Sequence, residues 1–335
     1  MTKLYALIMG VLLLAGAAPE PATLADVDLQ TFSASAEALC YLAAGSTAEK
    51  GEYAPKIRSA LDIVLRNVGS PDFTRSGRSA FIAPFAPIFL AELLHDKEKL
   101  ADPALRTKAM EILQRAVALI EAGQKEGIGE AHGTEGSGAW GYSIAEGKNE
   151  GRRKAQGAVC CLIALLAARD AGAKVSEAAL TKGTDYLMRC VGPTGEVGYQ
   201  GTATDGKYAG YGRTAGALYI MKRMGKEKSV EYQRALKWLD AQKVDKDYEA
   251  HAGAFQAWGF VWGGLFHAIR GGSAEGKYFT YAGKFFKDVV KPDGTWNGKD
   301  WVLKETTLNP SLTNLSLLGQ LLRKGNITVL TKVAK

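Results

Sequence analysis

The chain has 335 residues, 47% of them hydrophobic and 9% aromatic, and a net charge of +7. That is enough apolar material for a large core, at the upper size limit for one domain unless the domain is a repeat or a barrel. The Lys and Arg residues are scattered, which argues against a nucleic-acid partner and fits an anionic substrate or surface equally well.

Residues 1–18 read as a secretory signal. Lys3 supplies the positive start, Leu4 to Leu14 is apolar, and Ala15-Gly16-Ala17-Ala18 offers small residues for cleavage before Pro19. The apolar run falls short of the ~20 residues a bilayer span needs. The expectation is therefore an exported protein, periplasmic or secreted, with a single mature domain over 19–335 and no stable membrane span after cleavage. Cys40, Cys160, Cys161 and Cys190 remain. Export permits disulfides, but the first three sit in alanine-rich apolar stretches, where Cys acts as a small hydrophobe. Their spacing matches no zinc signature, so no metal and no cofactor is expected.

From there the chain alternates two kinds of predicted helix. One kind is apolar all round, which marks burial on every side: roughly 29–44, 77–94, 153–170, 211–224, 250–269 and 310–323. Between them lie amphipathic helices at roughly 53–67, 104–123, 176–190, 228–242 and 275–290. Met110, Leu113, Val117 and Ile120 show the helical step of three and four, as do Tyr278, Ala282, Phe285, Phe286 and Val289. Pro84 and Pro87 lie inside the second buried helix and should kink or break it. The long linker 124–152, rich in Gly and charge, is either a lid or a loop.

The amphipathic helices end alike. Ile120 precedes Gly138-Ala139-Trp140-Gly141-Tyr142, Tyr186-Leu187 precedes Gly195-Glu196-Val197-Gly198-Tyr199, and Phe285-Phe286 precedes Asp293-Gly294-Thr295-Trp296. Each copy runs amphipathic helix, Gly-aromatic loop, polar linker, buried helix, with a period of ~50–65 residues. An open solenoid would leave the all-apolar helices half exposed, and closing the ring buries them. The expected fold is an all-α α/α toroid: a double barrel of about six inner parallel helices inside five to six outer ones running the other way.

These stretches resemble the repeats of the squalene cyclase/prenyltransferase α/α-toroid superfamily, in particular exported bacterial proteins of generally unassigned activity that carry the repeat. The resemblance rests on Gly138 to Tyr142 with Ala155 to Leu166, Gly198-Tyr199 with Arg213 to Leu218, and Asp293 to Trp296 with Thr313 to Leu318. It covers about 110–325. It implies the fold and not the chemistry: the cyclases' Asp-x-Asp-Asp acid, the prenyltransferases' Asp-x-Cys zinc pair and the thioester Cys-Gly-Glu-Gln are all missing. Asp245-Lys246-Asp247 is a charged turn without the further acid.

Parallel inner helices would bring their N-termini to one mouth. Polar residues collect there in the sequence: Ser76 and Arg78; Arg152 and Arg153; Tyr208, Tyr211 and Arg213; Tyr248, Glu249 and His251; Asn309, Ser311 and Asn314. Trp140, Tyr142, Tyr199, Phe255, Trp258, Trp262 and Trp296 would form an aromatic wall, and aromatics with a few converging polar groups make the usual ligand site. His251 is the candidate general acid–base, with Tyr248 and Glu249 within a turn, or else a helix cap. Arg213 is the candidate grip on a carboxylate, or an ion-pair partner of Glu249 or Asp205. His267, near the far end of its helix, reads as structural; Trp258 and Trp262 read as core or as sugar-stacking rings.

Three functions follow as expectations. The first is an exported toroid that binds a small-molecule, glycan or peptide ligand, or a partner, in its central cavity. The second is a polysaccharide lyase using Arg213, Tyr211 and His251, or a glycoside hydrolase using Glu249 with Asp205 or Asp293. The third is a terpenoid cyclase-like enzyme.

Overall fold

Two kinds of helix alternate along the chain in a computed structural model, which describes residues 26–124, 138–145, 154–199, 210–242, 256–290 and 309–332. The expected signal segment, most of the 124–152 linker, and Arg152, Arg153, Asp205, Tyr208, Tyr248, Glu249, His251, Phe255, Asp293 and Trp296 lie outside the described residues. The inner set is α1 (Val27–Ala44), the broken pair α3 (Ser79–Ile82) and α4 (Phe85–His95), α6 (Ala155–Asp170), α8 (Tyr211–Arg223), α10 (Gln256–Arg270) and α12 (Asn309–Leu321). The outer set is α2 (Ala54–Gly69), α5 (Pro103–Ala122), α7 (Glu177–Arg189), α9 (Val230–Ala241) and α11 (Gly272–Val289).

The sequence difference between the sets is a burial difference. In α6 every residue from Ala155 to Ala168 is buried. In α2 the buried residues include Ile57, Ala60, Leu61, Val64, Leu65 and Val68, one stripe at helical spacing, while Arg58, Asp62 and Arg66 face water. Outer helices cap themselves: Asp102, Ser176 and Ser229 accept from backbone N–H groups in the first turns of α5, α7 and α9. The break between α3 and α4 falls at Ala83-Pro84, where Pro84 serves as the cap residue of α4, as the two prolines predict.

The inner helices close a ring. Each packs on the next in the order α1, α4, α6, α8, α10, α12, and α12 returns to α1. Contacts at two levels show neighbours running the same way. Ser33 meets Ser311 at 2.6 Å while Cys40, further along α1, donates to the Asn314 carbonyl at 3.0 Å. Ala80 lies beside Gly157 while His95 reaches the Asp170 carbonyl at the other end. Val159 packs on Gly216 while Arg223 pairs with Asp170. This is the all-α toroid, with six inner and five outer helices among the described residues.

The far end of the ring is closed by the C-terminus. A 3₁₀ turn (Leu322–Lys324) leads to the short helix α13 (Thr328–Thr331). Glu92, fully buried on α4, accepts from the Thr328 and Val329 backbone N–H groups at 3.0 and 2.9 Å and pairs with buried Lys99. Lys99 also donates to the Asn326 carbonyl at 2.6 Å, and Tyr219 on α8 donates to the Leu330 carbonyl at 3.0 Å. All four cysteines are free and buried.

Candidate functional site at the mouth of the inner ring

The centre of the ring is filled with rings of another kind. Phe85 on α4 stacks on Trp262 of α10, directly across the barrel, with centroids 5.7 Å apart. Phe32 on α1 stacks on Trp258 at 6.2 Å and meets Phe85 edge-on at 5.2 Å. None of the four is more than 1% exposed, so no water-sized space adjoins them. Burial pushes the Cys160 thiol up to about 12, a shift only partly opposed by Gln156 and by the indoles of Trp262 and Trp258. The structure therefore corrects the expected placement of Trp258 and Trp262: they are packed centre, not the wall of an open cavity. The physical reason is size, since six inner helices at the usual 8–10 Å spacing leave a lumen that four large side chains fill.

Above this layer the Gly-aromatic loops come together. Gly138 and Gly195 hold the same position in two copies of the repeat and have φ of +96° and +109°, a region L side chains rarely adopt. A side chain at either would also strike backbone, at the Lys182 carbonyl for Gly138 and the Arg234 carbonyl for Gly195. Each loop is thus pressed onto the outer helix of the following repeat. Two residues on, Trp140 is fully buried and its indole donates to the Ile120 carbonyl at 2.7 Å, so it anchors the loop. At the matching position, the Val197 N–H donates to Thr214 Oγ1 at 3.0 Å.

The loops then cap two inner helices, α3 and α6, whose own N-cap residues make no side-chain bond. The Tyr142 carbonyl accepts from Ala80 N–H at the start of α3, and the Tyr199 carbonyl accepts from Ala155 N–H at the start of α6, each at 3.0 Å. This fixes both tyrosines at N-terminal ends of inner helices, half-buried, with their hydroxyls 2.9 Å apart. Between the rings lies Lys154, the residue before α6: its Nζ is 4.9 Å from the Tyr142 centroid and 4.5 Å from that of Tyr199. Arg213, in the first turn of α8, lays its guanidinium 5.2 Å from the Tyr199 centroid. It folds over Gly210, where a Cβ would come within 2.6 Å of Arg213 Cζ. Such cation–ring contacts contribute ~0.5–2 kcal/mol each.

Burial sets the protonation here. It pushes the Tyr199 hydroxyl far above its ordinary range, with the Tyr142 contact adding to the shift. It lowers Arg213 to about 10, a shift partly opposed by Tyr199 and Cys190. At neutral pH Arg213 is a guanidinium cation, and Tyr199 is a phenol that donates a proton rather than a base.

Of the other sequence candidates, Tyr211 faces elsewhere. Its hydroxyl lies 2.8 Å from His267 Nε2 and its ring stacks with His267 and Tyr278. Burial lowers His267 to about 3, so it is neutral, as a structural His should be, although its buried Nδ1 has no hydrogen-bond partner among the described residues. Asn314 is buried on α12, its Oδ1 likewise without a partner among the described residues. Ser76 donates its N–H to Asp28 Oδ2 at 2.8 Å, and Thr74 donates to Oδ1 at 2.7 Å. Burial raises Asp28 to about 6 despite those bonds. The structure brings together Tyr142, Tyr199 and Arg213 from the candidates and adds Lys154 and Gly210, which sequence reasoning missed. The available signal was Lys154 standing at the very start of an all-apolar helix. Among the described residues no three His, Cys, Asp or Glu side chains gather as a metal site, and no helix is long and apolar enough to cross a membrane.

Comparison with protein-family models and with curated proteins gives no match. Among solved structures the chain is similar to a glycoside hydrolase family 76 mannosidase, Bt3792 from Bacteroides thetaiotaomicron. The TM-score is 0.53 at 11% identity, covering 97% of this chain and 100% of that one. A likeness at this identity shows the fold alone, the α/α toroid that the described residues form.

Proposed function

We propose that the protein binds and cleaves a glycan at the mouth of the inner ring. The observation that carries this is the packed centre: Phe32, Phe85, Trp258 and Trp262 leave an apolar or isoprenoid ligand no lumen among the described residues, and the half-buried tyrosines stand one layer above them. Amphipathic rings at a mouth suit sugar faces, which are apolar on the face and hydroxylated at the edge. That a solved structure of the same fold is a mannosidase is fold analogy, consistent with a glycosidase, and the packed centre carries the choice of a glycan over an isoprenoid ligand.

Hydrolysis needs two carboxylates, ~5–5.5 Å apart for retention or ~6.5–9.5 Å for inversion. Glu249, Asp205 and Asp293 are the candidates, with His251 and Tyr248 beside Glu249; in sequence they lie in the segments preceding α10, α8 and α12. Trp296 belongs to the same proposal. Export through residues 1–18 would deliver the protein to extracytoplasmic glycans, and N-terminal sequencing of the mature chain checks the cleavage near Pro19.

The test is release of reducing ends from a polysaccharide panel that includes mannans. The expected result is turnover of at least one member, lowered by ~10²-fold or more in Glu249→Gln or His251→Ala with the fold intact. Unsaturated uronate products would identify a lyase instead. No release from any member would overturn the enzymatic reading.

A further inference from the structure

We infer that Asp28 is a positioning residue for the mouth: through the Thr74 carbonyl it sets where the Tyr142 ring stands. Its role in recognition rests on the mouth being a glycan site. Asp28 lies in the first turn of α1, at the same end of the ring as the tyrosines, and is 1% exposed. Asp26 already caps α1, its Oδ1 accepting from the Leu29 N–H at 3.1 Å, so Asp28 is not needed there. Both its oxygens serve a distant loop instead, accepting from Thr74 N–H at 2.7 Å and Ser76 N–H at 2.8 Å. Bonds from N–H groups to a carboxylate are among the strong ones. They hold Thr74 at a φ of +72°, the one non-glycine with positive φ among the described residues. For a β-branched residue that is an outlier, and such strain persists only where the surroundings over-determine it.

What the strained residue presents is its carbonyl. That oxygen accepts from Ser79 Oγ at 2.8 Å, from Ser143 Oγ at 3.4 Å and from the Ala145 N–H at 3.3 Å. Ser79 Oγ in turn accepts from the Ile144 N–H at 2.8 Å. The three residues after Tyr142 are thus all tied to the Thr74–Ser79 loop, and the Tyr142 carbonyl holds the start of α3. Thr74, Ser79, Ser143 and Ile144 are buried, so water does not replace a bond that is lost. The relay runs from Asp28 through Thr74 and Ser79 to Ile144 and the Tyr142 ring. An amide at position 28 would break it, because Asn offers one acceptor oxygen and sets its own NH2 against the second N–H.

The experiment compares wild type, Asp28→Asn, Ser79→Ala and the double variant at neutral pH, each checked for its melting temperature. Amide exchange is followed by NMR, and kinetics are measured on soluble mannan or, if mannan is not cleaved, on the panel polysaccharide that wild type cleaves fastest. In each single variant the Ile144 and Ala145 amides should exchange about tenfold faster or more, while those of α7 do not change. KM should rise about tenfold with kcat held within about twofold, since placing a ring serves binding. The double variant should stay within about twofold of the worse single one, because both changes cut one relay. A KM rise equal to the product of the two single effects overturns the relay. Unchanged exchange at Ile144 and Ala145 in a folded Asp28→Asn overturns the inference, as does faster exchange with an unchanged KM. If Asp28→Asn does not fold, the same two readouts in Ser79→Ala decide. If wild type cleaves no polysaccharide, the glycan reading falls, and the exchange rates alone decide whether Asp28 positions the ring.

Discussion

At the scale of single residues, burial does most of the chemistry. His267 and Asp28 are both buried and shifted, in opposite senses. His267 is protonated near pH 6.5 when unfolded and only near 3 when folded. As pH falls through that window the unfolded chain takes up a proton that the native state refuses, so stability is lost. Asp28 is raised from 3.8 to about 6: as pH falls from 6 toward 4 the native state takes up the proton first, so stability is gained. The wild-type profile between pH 4 and 6 should therefore be nearly flat. Against His267→Gln, however, wild type should lose ~1.4 kcal/mol per pH unit on acidification, and against Asp28→Asn it should gain by a comparable slope. Urea denaturation at pH 4, 5 and 6 measures both; parallel profiles for all three proteins would contradict the burial argument. His267 was legible as structural from its place late in a buried helix. Tyr211 was not legible, because position 211 and position 213 both belong to a helix apolar all round. Sequence cannot tell which side of such a helix faces the mouth.

At the scale of elements, helix spans were the most readable feature, since period and composition repeat along the chain. The breaking effect of Pro84 was readable too, because Pro carries no N–H wherever it stands. The start of α11 at Gly272, not 275, follows from the turn at Gly271 and Gly272, whose φ values are +68° and +70°. The Gly-aromatic loops were readable as repeats, while their role as caps for α3 and α6 was not, because the carbonyls involved come from residues 44 to 62 positions away. Gly138 and Gly195 hold equivalent places in the two repeats. Ala at either should cost ~2 kcal/mol or more, from a positive φ and a backbone clash together. A fall in melting temperature for one and not the other would break the equivalence of the two copies. The clamp on α13 is a separate element. Glu92→Ala leaves Lys99 buried without its carboxylate and removes the acceptor from two backbone N–H groups, so ~3–5 kcal/mol should be lost. Denaturant midpoints check this, and a loss under ~1 kcal/mol would show that the C-terminus is not held there.

At the scale of the molecule, closure of the ring was derivable from a burial argument: six all-apolar helices have no other way to leave water. What fills the ring was not derivable, because the count of inner helices fixes a lumen only when the side chains pointing into it are known. Trp258 and Trp262 stand four apart on one face, a spacing equally suited to lining a cavity or plugging one, and the structure shows the plug. That single fact is why the glycan is proposed at the mouth and not in the centre. A glycan array probed side by side with wild type, Tyr142→Ala and Trp262→Phe tests it most directly. The account predicts binding to some glycan, lost in Tyr142→Ala and kept in Trp262→Phe, whose ring still fills the centre. Binding that survives Tyr142→Ala and disappears in a folded Trp262→Phe would place the ligand in the barrel and contradict the account.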